Sequence, residues 1–397
     1  MKNLNKTLRW NALAVLSAVA LTACGGGGGS TSVTTSAGSN GSLRMALTDA
    51  PACGYDAVNV TVQKVRVHQS SSAADADSGW SEITLTPARR IDLLSLTNGV
   101  LSELGQTPLP TGRYTQLRLV LADNTAASPF ANSVVPTSTK TEVALKTPSG
   151  QQSGVKANIG IDIAANQMAD FVLDFDACKS VVAAGNSGQY LLKPVVSVIP
   201  RYTSGASGFV DPAAAAGTNL SVSLQQNGVL IKTTVPDSTG KFLLQPVAPG
   251  SYTLVMAATG RTTIVVTGIV VATDTVTALN TSATAINPPV AATATVSGTS
   301  TTGSYVRALQ TLSAGATVEV TGRNVDDASG GYSFTLPVNA PLVGAYAVAP
   351  NPLVLSADVA ATGKYTIGAS LTGFTEKQTV LIPLTVGAAL TSNFVFP

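Results

Sequence analysis

The chain is poor in the side chains from which most active sites are made: one histidine (His68), three cysteines and 11% charged residues in a length of 397. Each scarcity excludes a chemistry. A Ser-His triad needs a base beside a nucleophile, and His68 has no Gly-x-Ser-x-Gly segment to serve. A zinc site needs three or four Cys, His or carboxylate ligands, which this cysteine and histidine count does not supply. The glycines at 25–29 are not followed by Gly-Lys-Ser/Thr, so they form no phosphate loop. With 23 Lys+Arg against 21 Asp+Glu there is no basic stripe for a phosphate backbone, which argues against nucleic acid. The longest apolar run near the start, Ala12 to Leu21, is about half the length a bilayer-spanning helix requires.

What is present begins with a basic head (Lys2, Lys6, Arg9), that short apolar run, and Leu21-Thr22-Ala23-Cys24. The pattern is an export signal. Its end resembles the lipobox of bacterial lipoprotein precursors, which implies cleavage before Cys24 and a lipid on that residue. Residues 1–23 are the expected signal and 24–42 a Gly/Ser/Thr tether, reaching on the order of 25 Å as a flexible chain. Loss of the signal removes three cations and no anion, leaving 20 against 21. Membrane attachment would therefore rest on lipid. In such lipoproteins an Asp after the lipidated cysteine favours inner-membrane retention; Gly25 implies outer-membrane sorting.

The rest is rich in Val, Thr, Ser, Ala and Gly, carries 21 prolines and shows no long 3.6-residue periodicity. The expected fold class is all-β, as tandem β-sandwiches. In the stretch 43–201, Val58, Val60 and Val62 alternate with polar residues, and Val65 and Val67 continue out of phase by one. A β-bulge near Gln63 and Lys64 reconciles the phases. Further strands are expected at 80–85, 116–121, 141–145, 170–176 and 190–199. Arg90 to Leu104 is readable as a short helix or, through Asn98-Gly99, as a turn. Leu47-Thr48-Asp49-Ala50-Pro51, Tyr55-Asp56-Ala57-Val58, Ile91-Asp92-Leu93-Leu94 and Leu109-Pro110-Thr111-Gly112-Arg113-Tyr114 resemble, in order and spacing, the lipoprotein family called domain of unknown function 4382. The resemblance implies an envelope lipoprotein with a sandwich-like fold and no assigned catalytic residues.

A second unit, 208–280, carries Asp237-Ser238-Thr239-Gly240-Lys241-Phe242 and then Pro249-Gly250-Ser251-Tyr252. This resembles the carboxypeptidase regulatory, transthyretin-like sandwich. After Ile286-Asn287-Pro288-Pro289, a third unit, 290–397, repeats the grammar with Ser329-Gly330-Gly331-Tyr332 and Gly363-Lys364-Tyr365. It carries an insertion at 340–360 and an expected closing strand at Asn393–Phe396. Few contacts are expected across the linkers.

Cys53 and Cys178 remain once lipid takes Cys24, and an exported chain meets an oxidising periplasm. Their bridge would close a loop of about 126 residues, worth roughly 4–5 kcal/mol; two buried free thiols are the alternative. Asp174 and Asp176 lie on one strand face about 6–7 Å apart, a spacing some glycosidase pairs share. With Asp162 and Asp170 they also raise the question of calcium, though without EF-hand spacing. Solvated faces and turn caps account for all four, and changing Asp174 and Asp176 together to Asn should leave folding intact. Tyr114, Tyr252 and Tyr365 each follow a glycine turn and precede an apolar strand, the place for a core tyrosine tied to a loop. Trp80 reads as a strand-start core residue or a surface one. The functional expectation is a non-catalytic, lipid-anchored envelope protein, structural or adhesive, with no cofactor and no metal. A carbohydrate- or peptidoglycan-binding lipoprotein is the alternative and a hydrolase the third reading.

Overall fold

The computed structural model describes residues 40–49, 54–148, 154–216, 218–348 and 353–397. The chain there is all-β, with sheets packed face to face over three buried apolar clusters. No described helix is long and apolar enough to cross a membrane.

The first cluster is enclosed by β1 (Gly41–Asp49), β2 (Tyr55–His68), β3 (Ser81–Asp92), β4 (Ser102–Leu109), β5 (Gly112–Leu121), β6 (Ser133–Pro136), β7 (Val143–Lys146), β8 (Val155–Ile163), β9 (Met168–Phe175), β10 (Val181–Ala183), β11 (Tyr190–Leu192) and β12 (Val196–Pro200). A four-stranded sheet, β12-β9-β1-β4, faces an eight-stranded one, β10-β11-β7-β6-β2-β5-β8 with β3 on β2. The alternation of β2 is the clearest link from sequence to packing. Val58, Val60, Val62, Val65 and Val67 are each at most 2% exposed, and the register shifts between Val62 and Lys64 against both β3 and β5. The expected bulge therefore exists, and it keeps both halves of β2 facing the core. Arg90–Leu104 is not one helix. β3 runs on to Asp92, whose carboxylate accepts the Leu94 N–H at 3.2 Å and caps one 3-10 turn, Leu93–Leu96. Asn98 and Gly99, with φ of 56° and 74°, then turn the chain into β4. The stretch 190–199 splits at Pro194 into strands of two different sheets, because proline offers no N–H to a ladder.

The second cluster lies between β16-β13-β19 and a larger sheet that begins β15-β14-β17-β18. These strands are β13 (Gly205–Phe209), β14 (Ser221–Gln226), β15 (Val229–Thr234), β16 (Lys241–Leu244), β17 (Gly250–Ala257), β18 (Ile264–Val271) and β19 (Val276–Ala278). The third lies between β23-β20-β28 and β22-β21-β26-β27. Here the strands are β20 (Thr293–Thr299), β21 (Tyr305–Thr311), β22 (Thr317–Asn324), β23 (Gly331–Pro337), β24 (Leu342–Ala345), β25 (Ser356–Ala357), β26 (Thr366–Ser370), β27 (Lys377–Val380) and β28 (Ala389–Thr391).

The turn chemistry repeats between these two regions. The Asp237 carboxylate accepts from the Thr239 and Lys241 N–H groups, and that of Asp326 from the Ala328 and Ser329 N–H groups. Gly240 and Gly330 follow at φ 79° and 67°. A Cβ on either would stand 1.9 Å from Val210 O or 2.2 Å from Ser300 O, so only glycine fits. Two residues later, Phe242 and Tyr332 enter their cores.

Three features depart from the expectations. The insertion expected at 340–360 in the third unit supplies strands to another region: β24 pairs in parallel with β18 and β25 pairs with β24, extending the second region's sheet to six strands. The last strand is β28; Asn393–Phe396 follow it, fixed by Thr299 and Thr301 to Asn393 and Phe396. Contacts across the linkers are many. Val255 and Val265 point from β17 and β18 into the third cluster while Leu254, Met256, Ile264 and Val266 face the second. That sheet is buried on both faces, which is why these strands read as continuous apolar runs. The linker is pinned as well: Ile286 donates its N–H to Phe209 O at 3.0 Å, and Pro289 O accepts from Thr262 N at 2.8 Å.

Candidate functional site

The outer face of the eight-stranded sheet is where the first region departs from a plain solvated surface. The β2–β3 connection folds back across it. Trp80 lies between two guanidiniums, with Arg66 Cζ 4.6 Å and Arg118 Cζ 4.7 Å from its ring, and His68 5.1 Å away. Its Nε1 donates to Ala74 O at 3.0 Å. Arg118 and Gln116 both donate to Ala73 O, at 2.7 and 3.2 Å, and both are buried. Asp75 pairs with Arg66 and, at 3.4 Å, with Arg118, while Glu82 pairs with Arg66 and Lys64. Trp80 is thus not in the apolar core, contrary to the strand-start reading; it clamps a loop onto the sheet. His68 has the modest role expected of a hairpin-end residue. Its Nδ1 accepts from Ser70 N at 2.9 Å, and Nε2 sits 3.0 Å from Ser78 O.

Towards the other end of the β2–β3 ladder, where Thr61 pairs with Arg90, the segment 122–132 is fixed by a buried amide network. Asn132 is fully buried; its N–H reaches Asn124 Oδ1 at 2.7 Å, its Nδ2 donates to Ala122 O at 2.7 Å, and its Oδ1 accepts from Thr61 N at 3.0 Å. Arg90 Nε donates to Phe130 O at 3.2 Å and its guanidinium pairs with Glu142.

The four aspartates considered together in the sequence are kept apart. Asp162 pairs with Arg113 at 3.1 Å, and Asp170 lies between Arg44 and Arg201. Asp176 caps the helix α1 (Ala177–Ser180), accepting from Lys179 N at 3.0 Å and pairing with Lys179 Nζ at 3.3 Å. Asp174 meets Lys232 at 2.8 Å; the lysine is buried and the aspartate half-buried, 3% and 14% exposed. Asp176 is the turn cap expected; Asp174 is no solvated residue but half of an ion pair joining β9 to β15, with its lysine buried. Among the described residues no group of three or more His, Cys, Asp or Glu is placed to hold a metal ion. Asp49, in the Leu-Thr-Asp-Ala-Pro segment, was not singled out by composition or spacing. It is fully buried, with Oδ1 accepting from Ala177 N at 2.9 Å and Oδ2 without a hydrogen-bond partner among the described residues. Burial holds its carboxyl well above the usual range, reinforced by Asp176 and Asp174 and opposed by the Ala177 N–H and Lys232.

Beyond α1 the three regions meet. Lys179 Nζ lies 5.0 Å over the Tyr305 ring, Tyr305 donates to Glu319 at 2.7 Å, and Glu319 exchanges two backbone hydrogen bonds with the Gln225 amide at 2.7 and 2.8 Å. Burial first, and then Glu319, pushes the Tyr305 phenol well above its ordinary value. The cavity at this junction is about 90 Å³, too small for more than a few waters. The three tyrosines expected as core anchors are that: Tyr114, Tyr252 and Tyr365 are buried and donate to Pro110 O, Ala248 O and Pro337 O at 3.2, 2.8 and 2.8 Å. Cys178 lies in α1; Cys24 and Cys53 lie outside the described residues.

The sheet, its two folded-back loops and the β1–β9 ladder all fall within one stretch. Residues 40–194 match the family model described as a domain of unknown function, DUF4382. No curated protein matches the chain. Among solved structures, a type II cohesin–X-dockerin complex from Acetivibrio cellulolyticus is similar at 24% identity and TM-score 0.19, over 22% of this chain and 58% of that one. The pilus adhesin SpaC from Lactobacillus rhamnosus GG is similar at 12% identity and TM-score 0.15, over 90% and 44%. A streptococcal ancillary pilin is similar at 8% and 0.15, over 89% and 98%. The chain thus spans less than two thirds of the cohesin–dockerin chain.

Proposed function

We propose that the protein is a non-catalytic binding module of the bacterial cell envelope, held to the outer membrane by lipid on Cys24 and engaging its partner through loops carried by the first region. The observation that carries this reading is the commitment of the polar groups. His68 staples a hairpin, Asp162, Asp170 and Asp174 each pair with a cation from another strand, and Asp176 caps a helix. What is presented outward is a sheet face with two loops fixed upon it, and rigid scaffolds commonly carry binding residues in this way. The lipobox-like Leu21-Thr22-Ala23-Cys24 supports the anchor, and Gly25 supports outer-membrane sorting. A Cys53–Cys178 bridge belongs to the same reading. Cys178 carries no free thiol, and Gly54, next to Cys53, lines one cleft with it. Cys24→Ala should abolish lipid labelling and move the protein to the soluble periplasmic fraction; a variant still labelled and membrane-bound sinks the anchor. Non-reducing peptide maps should hold a peptide joining Cys53 to Cys178, and two alkylatable thiols in native protein would dismiss the bridge.

A further inference from the structure

The geometry points to a binding site for a neutral oligosaccharide in the concavity between the β2 bulge and the 122–132 segment, with Phe130 as its stacking platform and Gln63 and Asp123 as its hydrogen-bonding edge. This deepens the binding-module reading and rests on it. The concavity holds about 640 Å³, within the span of small-molecule sites. Three independent features converge there.

The first is Phe130, 42% exposed in a segment that is otherwise tightly bonded. A lone exposed phenylalanine is unremarkable on a mobile loop. Here the buried Asn132 network and Arg90 fix its backbone, so a ligand would lose little entropy ordering it. The second is the bulge. β2 advances from Val62 to Lys64 while β5 moves only from Leu121 to Val120, so Gln63 is an extra residue aimed out of the ladder at the concavity, the kind of re-aiming for which bulges are retained. The third is unused polar capacity. Gln63 and Asp123 are exposed, and neither side chain has a hydrogen-bond partner among the described residues.

Charge selects the ligand. Arg90 is taken by Glu142, and Lys64 by Glu82, so the remaining formal charge at the rim is the Asp123 carboxylate. That repels phosphates, uronates and acidic peptides. A sugar supplies what the site lacks: C–H faces for the Phe130 ring, and vicinal hydroxyls that donate to Asp123 while exchanging both donor and acceptor with the Gln63 amide. A basic peptide would also satisfy Asp123 and could set a cation over the ring, which is why a cationic competitor belongs in the test.

The test uses the lipid-free chain from residue 25 onward, titrated with maltohexaose, cellohexaose and chitohexaose, and with hexalysine as the cationic competitor. Saturable binding of at least one hexasaccharide is expected. Phe130→Ala and Gln63→Ala, both at exposed positions, should each weaken it about tenfold or more, and Phe374→Ala, an exposed aromatic of the third region, should leave it unchanged. No binding of any hexasaccharide, binding indifferent to Phe130, or a preference for hexalysine overturns the site. None of these touches the binding-module reading. New reducing ends appearing with a bound sugar would instead overturn the non-catalytic reading while leaving the site in place.

Discussion

Lys232 is the residue that most changes the account of the molecule. A lysine at 3% exposure would be intolerable alone, and its partner Asp174 comes from a different region of the chain. Removing Asp174 leaves a buried ammonium without its ion-pair partner, and removing Lys232 leaves a half-buried carboxylate without its own, a loss of about 3–5 kcal/mol where buried pairs have been broken. Lys232→Met should therefore destabilise the protein by that order, measured by chemical denaturation, and so should Asp174→Asn, despite its near-identical size. The double change of Lys232→Met with Asp174→Leu should recover most of the loss, since apolar replacements of buried pairs are often neutral. A double variant as unstable as the two singles summed would show that the pair itself is not the source. The sequence alone points the other way, because Asp170, Asp174 and Asp176 alternate with Phe171, Leu173 and Phe175 and look like a wet face. Alternation reveals that a side chain leaves its own core; it is silent about which other region then covers it.

At the scale of elements, the related turns Asp237-x-x-Gly240 and Asp326-x-x-x-Gly330 show the reverse case, where short-range chemistry is sufficient. The Asp237 carboxylate is held below its ordinary value by the Thr239 hydroxyl and the Thr239 and Lys241 N–H groups, and that of Asp326 by the Ser329 N–H and hydroxyl. Both stabilise the turn that delivers the glycine. Gly240→Ala forces a Cβ to within 1.9 Å of Val210 O at positive φ, and should cost on the order of 1–3 kcal/mol from backbone strain, more if Val210 cannot move. An unchanged denaturation midpoint would mean that the turn relaxes freely. These turns, the β2 bulge and the three anchoring tyrosines were legible in the sequence because the signal of each, a turn glycine or an apolar alternation, is local, even where the partner is not, as with Pro337 O for Tyr365. The 3-10 turn at Leu93–Leu96, the Trp80 clamp and the transfer of β24 to another region's sheet were not. In each of these the local pattern admits two conformations, and a distant partner chooses: the sheet's outer face for Trp80, and the free edge of β18 for Leu342–Ala345.

For the molecule as a whole, the same transfer decides how it should unfold. Independent sandwiches joined by linkers would melt separately, each with its own core. Here β17 and β18 give Leu254, Met256, Ile264 and Val266 to the second cluster and Val255 and Val265 to the third, while β24 adds to β18 from the third region's chain. Neither cluster can lose its strands without exposing the other. Calorimetry of the lipid-free protein should therefore show the second and third regions melting in one cooperative transition. Val265→Ala removes buried methyl groups from the face of β18 that the third region covers, at a cost on the order of 2 kcal/mol. Because cooperative units report the stability of the whole unit, hydrogen exchange should accelerate together in β14 and β17 of the second region and in β21 and β26 of the third. Faster exchange confined to β21 and β26, with β14 and β17 unaffected, would show two independent units and refute the coupling.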